Sequence, residues 1–173
     1  ATLVEQIAQV PQKAVLFSGT IRENMCYGRP EATDEEIWRA LEIAQAKDFV
    51  EGLTDGLESR VEQGGGNFSG GQRQRLAIAR ALIKEADVYV FDDSFSALDF
   101  KTDANLRGAL KKSMTEGMMV IVAQRVSTVM DADIILVLDE GKVVGQGTHE
   151  QLLADNATYQ EIVHSQLREE DLA

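Results

Sequence analysis

The run Val88-Tyr89-Val90-Phe91 is β-branched and aromatic at consecutive positions, and it stops at two carboxylates, Asp92-Asp93. Four apolar residues in a row, with no polar alternation, predict a central strand buried on both faces. Helical patterns flank it, one from about Gly70 to Lys84 and one over Leu98–Lys112. A strand between helices implies an α/β fold with a mostly parallel sheet covered on both faces. The rest of the chain extends this pattern. Ile7, Ala8 and Val10 predict a strand within Thr2–Val10 that ends at Pro11. Thr33 and Glu36 form a capping box for a helix over roughly Asp34 to Ala46, with Ile37, Leu41 and Ala44 on one face. Met119–Val122 and Ile134–Leu138 predict two further buried strands, and Asp139-Glu140-Gly141-Lys142 a hairpin turn into Val143-Val144. Thr148 and Gln151 form a second capping box, opening a helix or helix pair to about Leu167, and Arg168–Ala173 reads as a frayed polar tail.

Charge and cysteine usage narrow the function. The net charge is −12 and no basic stripe is visible, which argues against a nucleic-acid surface. Arg73, Arg75 and Arg80 cluster, but inside a helical pattern and in too small a number. The single cysteine, Cys26, cannot form an internal disulfide and fits a reducing compartment. The longest apolar runs, Met118–Ala123 and Ile134–Leu138, are too short to span a bilayer, and no signal peptide is visible at Ala1–Val10.

The segment Asn67-Phe68-Ser69-Gly70-Gly71-Gln72-Arg73-Gln74-Arg75-Leu76-Ala77-Ile78-Ala79-Arg80-Ala81-Leu82 places a serine and two glycines at a helix start. Free backbone N–H groups and the helix dipole favour an anion there, and glycines let a phosphate approach the backbone. A plain serine N-cap on a surface helix would show the same residues, so the physics alone leaves both readings open. Asp92 would lie at the C-terminal edge of the sheet, where α/β folds bind ligands, and a carboxylate there suits Mg²⁺ between phosphates. A pair of turn aspartates is the competing reading. His149 and His164 lack metal-ligand spacing and read as surface or structural groups.

Order and type together resemble the ATP-binding cassette (ABC) family. The Ser69-Gly70-Gly71-Gln72 stretch looks like its signature motif, with Phe68 as the one departure, at a position that packs. Val88–Asp92 looks like a Walker B strand, Ser96-Ala97-Leu98-Asp99 like the D-loop, and Pro11-Gln12 like the Q-loop. Val15–Asn24 is similar to the exporter segment that meets transmembrane coupling helices. Val61–Gly66 stands where exporters carry a Gly-Glu-Arg-Gly-like loop, altered here, and reads equally well as a hinge. The resemblance implies a RecA-like P-loop NTPase core, residues 1–33 and 83–173, with an α-helical signature subdomain over about 34–82 inserted into it. It implies ATP and Mg²⁺ as cofactors. Gln12, Ser69, Gly70, Gly71, Gln72, Asp92 and Asp99 would bind nucleotide, and Asp92 and Gln12 would face the metal. It further implies a transmembrane domain and a second nucleotide-binding domain as partners, and a place on the cytoplasmic face of the membrane.

Two positions depart from the family. The general base is usually a glutamate after the Walker B aspartate, and here it is Asp93, shorter by roughly 1.5 Å of reach. The switch histidine is replaced by Gln124, which donates a hydrogen bond but cannot carry charge or shuttle a proton near neutral pH. Together they resemble the hydrolysis-impaired half of a heterodimeric multidrug or lipid exporter, whose signature completes the partner's site. Two alternatives stand beside this: a symmetric exporter ATPase in which Asp93 works as the base, and a non-transport ABC ATPase. No long heptad run separates Gln12 from Ser69, which disfavours the last. The family's adenine-stacking residue and its Gly-x-x-x-x-Gly-Lys-Ser/Thr loop do not occur within these residues, so the 173-residue fragment is expected to bind ATP weakly and to be inactive by itself.

Overall fold

The computed structural model describes residues 3–114 and 117–170. They form two compact units, residues 1–122 and residues 123–173. In the first, β1 (Ile7–Val10), β4 (Val88–Asp92) and β5 (Met118–Val122) make a parallel sheet in the order β1-β4-β5. Val10 pairs with Phe91, and Asp92 with Val122, so the C-terminal ends of the strands share one edge. Between β1 and β4 come β2 (Gly19–Thr20), α1 (Ile21–Met25), α2 (Asp34–Ile43), α3 (Lys47–Glu51), β3 (Arg60–Val61) and α4 (Gly70–Ile83). The two-residue strands β2 and β3 pair antiparallel. Helix α5 (Phe100–Ser113) joins β4 to β5.

Local sequence explains the helix starts. Thr20, Thr33 and Ser69 each close a capping box with the Glu or Gln three residues on. Asp99 caps α5 by accepting from the Thr102 backbone N–H at 2.9 Å. One core runs through the unit and joins Val10 and Phe91 of the sheet to Ile37 and Leu41 of α2, Leu76 and Ile78 of α4, and Leu106 and Leu110 of α5.

The second unit holds α6 (Val126–Val129), an antiparallel hairpin of β6 (Ile135–Asp139) and β7 (Lys142–Gly147), α7 (His149–Asp155) and α8 (Ala157–Glu170). Its small core is Ile135, Val137, Leu152 and Tyr159. Thr148 and Gln151 cap α7 as the sequence predicts.

Two expectations are corrected. The strands at Met119–Val122 and Ile134–Leu138 are not buried on both faces. Met118, Val120 and Val122 of β5 are 59%, 40% and 53% exposed, because only Met119 and Ile121 face the core. Strand β6 alternates buried Ile135 and Val137 with exposed Leu136 and Leu138, as a hairpin with one covered face must. The helix expected to reach Ala46 ends at Ile43, where Gln45 turns left-handed at φ 58°, and a new helix starts at Lys47. Thr2 of the first expected strand and residues 171–173 of the expected tail lie outside the described residues. No helix among the described residues is long and apolar enough to cross a membrane.

Candidate functional site

The sheet edge brings the first pair of predicted residues together. Gln12 stands two residues past β1 and Asp93 one residue past β4. The Gln12 side-chain amide donates to Asp93 Oδ2 at 2.9 Å. A carboxylate oxygen accepts, so the Gln12 nitrogen faces it and the amide oxygen points elsewhere. Asp93 adopts φ 45°, in the left-handed region that aspartate enters more readily than bulky residues do. Its backbone N–H donates to the Val122 carbonyl at 2.8 Å, which fixes the turn against β5. Asp92 ends β4 immediately before this turn.

The second pair forms at the tip of α4. Ser69 Oγ accepts from the Gln72 backbone N–H at 3.2 Å, and Gln72 Oε1 accepts from the Ser69 N–H at 2.9 Å. The N-cap reading is therefore realised, and it leaves the serine's own proton free to donate outward. Ser69 and Gly70 are exposed. Ser69, Gly71 and Arg75 line a cleft of about 400 Å³ with Ala97, Leu98, Asp99 and Thr102. A Cβ on Gly71 would sit 3.3 Å from the Ala97 carbonyl oxygen, so a side chain there would push this loop back by a few tenths of an ångström. Phe68, the one departure in the motif, is 6% exposed and packs 6.3 Å from the Phe49 ring. The Asp99 carboxyl is held below its ordinary range by the Thr102 backbone N–H and then by the Thr102 hydroxyl. Burial lowers the Arg75 guanidinium, and the Asp99 charge opposes that shift.

The loop before the signature is built, not loose. Gly64 and Gly65 take φ 68° and 75°, and Arg73 Nη1 donates to the Phe68 carbonyl at 2.6 Å. Gln124 is the second residue of the second unit. It is exposed, and its backbone carbonyl accepts from the Gln166 amide of α8 at 2.6 Å, while Gln166 Oε1 accepts from the Val126 N–H at 2.8 Å.

For a metal, Asp92 offers a carboxylate and Gln12 its amide oxygen. Mg²⁺ takes one or two protein ligands and completes its shell with phosphates and water, so this donor pair fits it alongside a nucleotide. Among the described residues no group of three His, Cys, Asp or Glu could hold a metal by itself.

Three residues here escape a reading of the sequence: Arg75 in the cleft, Gln74 inside α4, and Ser94 after the aspartates. Gln74 and Ser94 carry a faint signal, since both are polar residues at positions that turn out to be 2% and 0% exposed.

The family model for ABC transporters matches residues 2–96, more than half of the chain. The chain belongs to the ABC transporter family. An ABC transporter ATP-binding protein of Mycobacterium tuberculosis is 53% identical over 163 residues, which is 92% of this chain and 28% of that protein. An ATP-dependent lipid A-core flippase of Xanthomonas campestris is 43% identical over 170 residues, 98% of this chain and 29% of that protein. A bacterial Atm1-family ABC exporter, solved with ATP bound, superposes with a TM-score of 0.92 at 37% identity, over 95% of this chain and 29% of that one. The chain thus spans under a third of the length of these relatives. Its fold is that of the nucleotide-binding domain of an ABC exporter.

Proposed function

We propose that this chain is the ATP-handling part of an exporter whose own site turns ATP over slowly while its signature helix completes the partner's site. The observation that carries the reading is the contrast between two places. The tip of α4 presents an exposed Ser69 and a Gly71 that hugs the loop at Ala97, with the N–H groups of a helix start behind them. At the sheet edge the base position holds the short Asp93, whose Oδ2 is already engaged by Gln12. A base must reach its water by hydrogen bond, and losing a well-placed one costs about 10²–10⁴-fold in rate. Gln124, in place of a histidine, cannot supply a positive charge.

In this reading ATP with Mg²⁺ lies against Gln12 and Asp92, while Ser69, Gly70, Gly71 and Gln72 face a second ATP held by another nucleotide-binding domain, with Asp99 at the border of the cleft. The segment 34–82 serves as the helical subdomain on a core formed by the remainder. A transmembrane domain docks on the exposed Val15, Phe17 and Tyr27, where the Phe17 and Tyr27 rings stack at 4.4 Å. In this reading the domain lies on the cytoplasmic face of a membrane, with the stacked Phe17 and Tyr27 rings turned toward it.

The test is asymmetry. In the assembled exporter, Ser69→Arg lowers ATPase activity by roughly 10²-fold, the scale of losing a donor to transition-state charge. Asp93→Asn lowers it by less than about twofold, because this site contributes little to turnover. Equal and large losses for both substitutions refute the assignment.

A further inference from the structure

We propose that Ser94 and Gln74 are positioning residues for Gln12, holding the two carbonyls that lead into its loop. The inference rests on the reading of the Gln12–Asp92 edge as a nucleotide site, and goes beyond it by naming what sets that edge.

Gln12 is exposed, and it is beyond the reach of the sheet ladder. The last β1–β4 pair is Val10 with Phe91. Pro11 follows, and with no N–H it cannot extend the ladder. Something else must fix the direction in which the chain leaves β1, or the Gln12 amide could not be held 2.9 Å from Asp93.

Two buried side chains do so, from two different elements. Ser94 Oγ donates to the Val10 carbonyl at 2.8 Å, from the turn after the aspartates. Gln74 Nε2 donates to the Pro11 carbonyl in a longer contact of 3.4 Å, from the interior of α4. Ser94 is 0% exposed and Gln74 2%. An unpaired hydroxyl or amide would be costly at such sites; Ser94 Oγ also has a longer contact, 3.4 Å, to the Asp92 carbonyl, but its short bond is the one to Val10. Both partners lie on the same two-residue stretch, and that stretch ends at Gln12. Because Gln74 lies in the same helix as Ser69, the clamp also ties the metal-facing amide to the signature tip.

A bland role is core satisfaction, in which Ser94 and Gln74 stabilise the domain without touching Gln12's work. The two roles separate in a double-mutant cycle read on Mg²⁺ dependence of ATP retention by the assembled exporter, with melting temperature measured in parallel. Gln12→Ala and Ser94→Ala each raise the Mg²⁺ concentration at half-retention by about fivefold, the factor that one ordinary hydrogen bond corresponds to. The double variant is no weaker than Gln12→Ala alone. Gln74→Leu gives the same coupling with a smaller single effect, and it stands in where Ser94→Ala fails to assemble. Effects that multiply, or single variants that lower the melting temperature and leave half-retention unchanged, overturn the proposal. Asp92→Asn is the control for the underlying reading: it abolishes Mg²⁺-dependent retention. If it does not, the nucleotide-site assignment fails, whatever the cycle shows.

Discussion

Gly71→Ala separates what the tip of α4 does for folding from what it does for phosphate. The residue is second in α4, and its φ lies outside the left-handed region, so alanine is allowed there. Alanine in a helix gains up to about 1 kcal/mol over glycine, part of it through the unfolded chain. Against this, the new Cβ meets the Ala97 carbonyl oxygen at 3.3 Å and Leu98 Cδ2 at 3.6 Å. The first contact needs a few tenths of an ångström of relief, the second is ordinary packing, and Ala97 is exposed in a turn with room to yield. The two effects nearly cancel, leaving stability within about 1 kcal/mol and the melting temperature within about 4 °C of the parent. Function does not cancel. The methyl stands in the cleft between Ser69 and Asp99, where a phosphate would approach the backbone. ATPase activity of the assembled exporter falls roughly 10²-fold, as for loss of an oxyanion donor. Thermal melting and steady-state hydrolysis on the same preparation decide it. Unchanged hydrolysis refutes the view that phosphate reaches Gly71. A melting temperature lower by more than about 8 °C refutes the claim that the Ala97 loop yields.

Two further outcomes concern the scaffold. The Glu36 carboxyl is drawn from an ordinary 4.5 to about 2, first by the Arg29 guanidinium and then by the Thr33 backbone N–H. A depressed folded-state value means that its contribution is full above pH 4.5 and is lost as pH falls toward 2, so Glu36→Gln flattens the acid limb of a melting-temperature profile between those values. An unchanged limb would remove Glu36 from the acid response. Asp103 is 1% exposed and accepts from Arg107 Nε at 3.0 Å. Arg107→Ala therefore leaves a buried carboxylate alone and destabilises the domain by about 3 kcal/mol in urea unfolding, while Asp103→Leu with Arg107→Met recovers most of the loss. Equal stability of the single and double variants would contradict this.

What the sequence disclosed was local. The capping boxes at Thr33 and Thr148 need only residues three apart, and both are present, while Ser69, read as a plain N-cap, proves to close a box with Gln72. The strand ending at Asp92 was legible from its consecutive apolar run, but its burial on both faces was overstated: Tyr89 and Phe91 are buried while Val88 and Val90 stay partly exposed. Helix α5 starts at Phe100, not Leu98, because Asp99 is its cap. Helix α1 is five residues long and β2 and β3 two each, too short to carry a period, and none was foreseen. The candidate residues Gln12, Ser69, Asp92, Asp93 and Asp99 were named from their order in the chain. The contacts that set them, Gln74 to Pro11 and Ser94 to Val10, join positions far apart in the chain and become visible only in three dimensions.

The arginine-rich continuation of the signature shows why this distinction matters. In a chain of net charge −12, a cluster of Arg73, Arg75 and Arg80 could be taken for a basic surface. Instead Gln74 and the three arginines of α4 each donate to a backbone carbonyl outside the helix. Arg73 reaches Phe68, Gln74 reaches Pro11, Arg75 reaches Gln45 and Arg80 reaches Val15, while the capping Lys84 reaches Val4 and Ile7. Arg75 also lies 4.9 Å over the Phe49 ring and Arg80 5.1 Å over Phe17. Burial lowers the pKa of both guanidiniums, yet arginine starts so high that the charge persists. Loop carbonyls at the margin of a core need donors, and long cations supply them while their stems pack against apolar neighbours. The helix that presents Ser69 is thus tied to the start of β1, to the Gln12 loop and to the aromatic segment at Val15–Phe17. Arg80 is the residue that joins that aromatic segment to the helix whose N-terminal tip bears the serine.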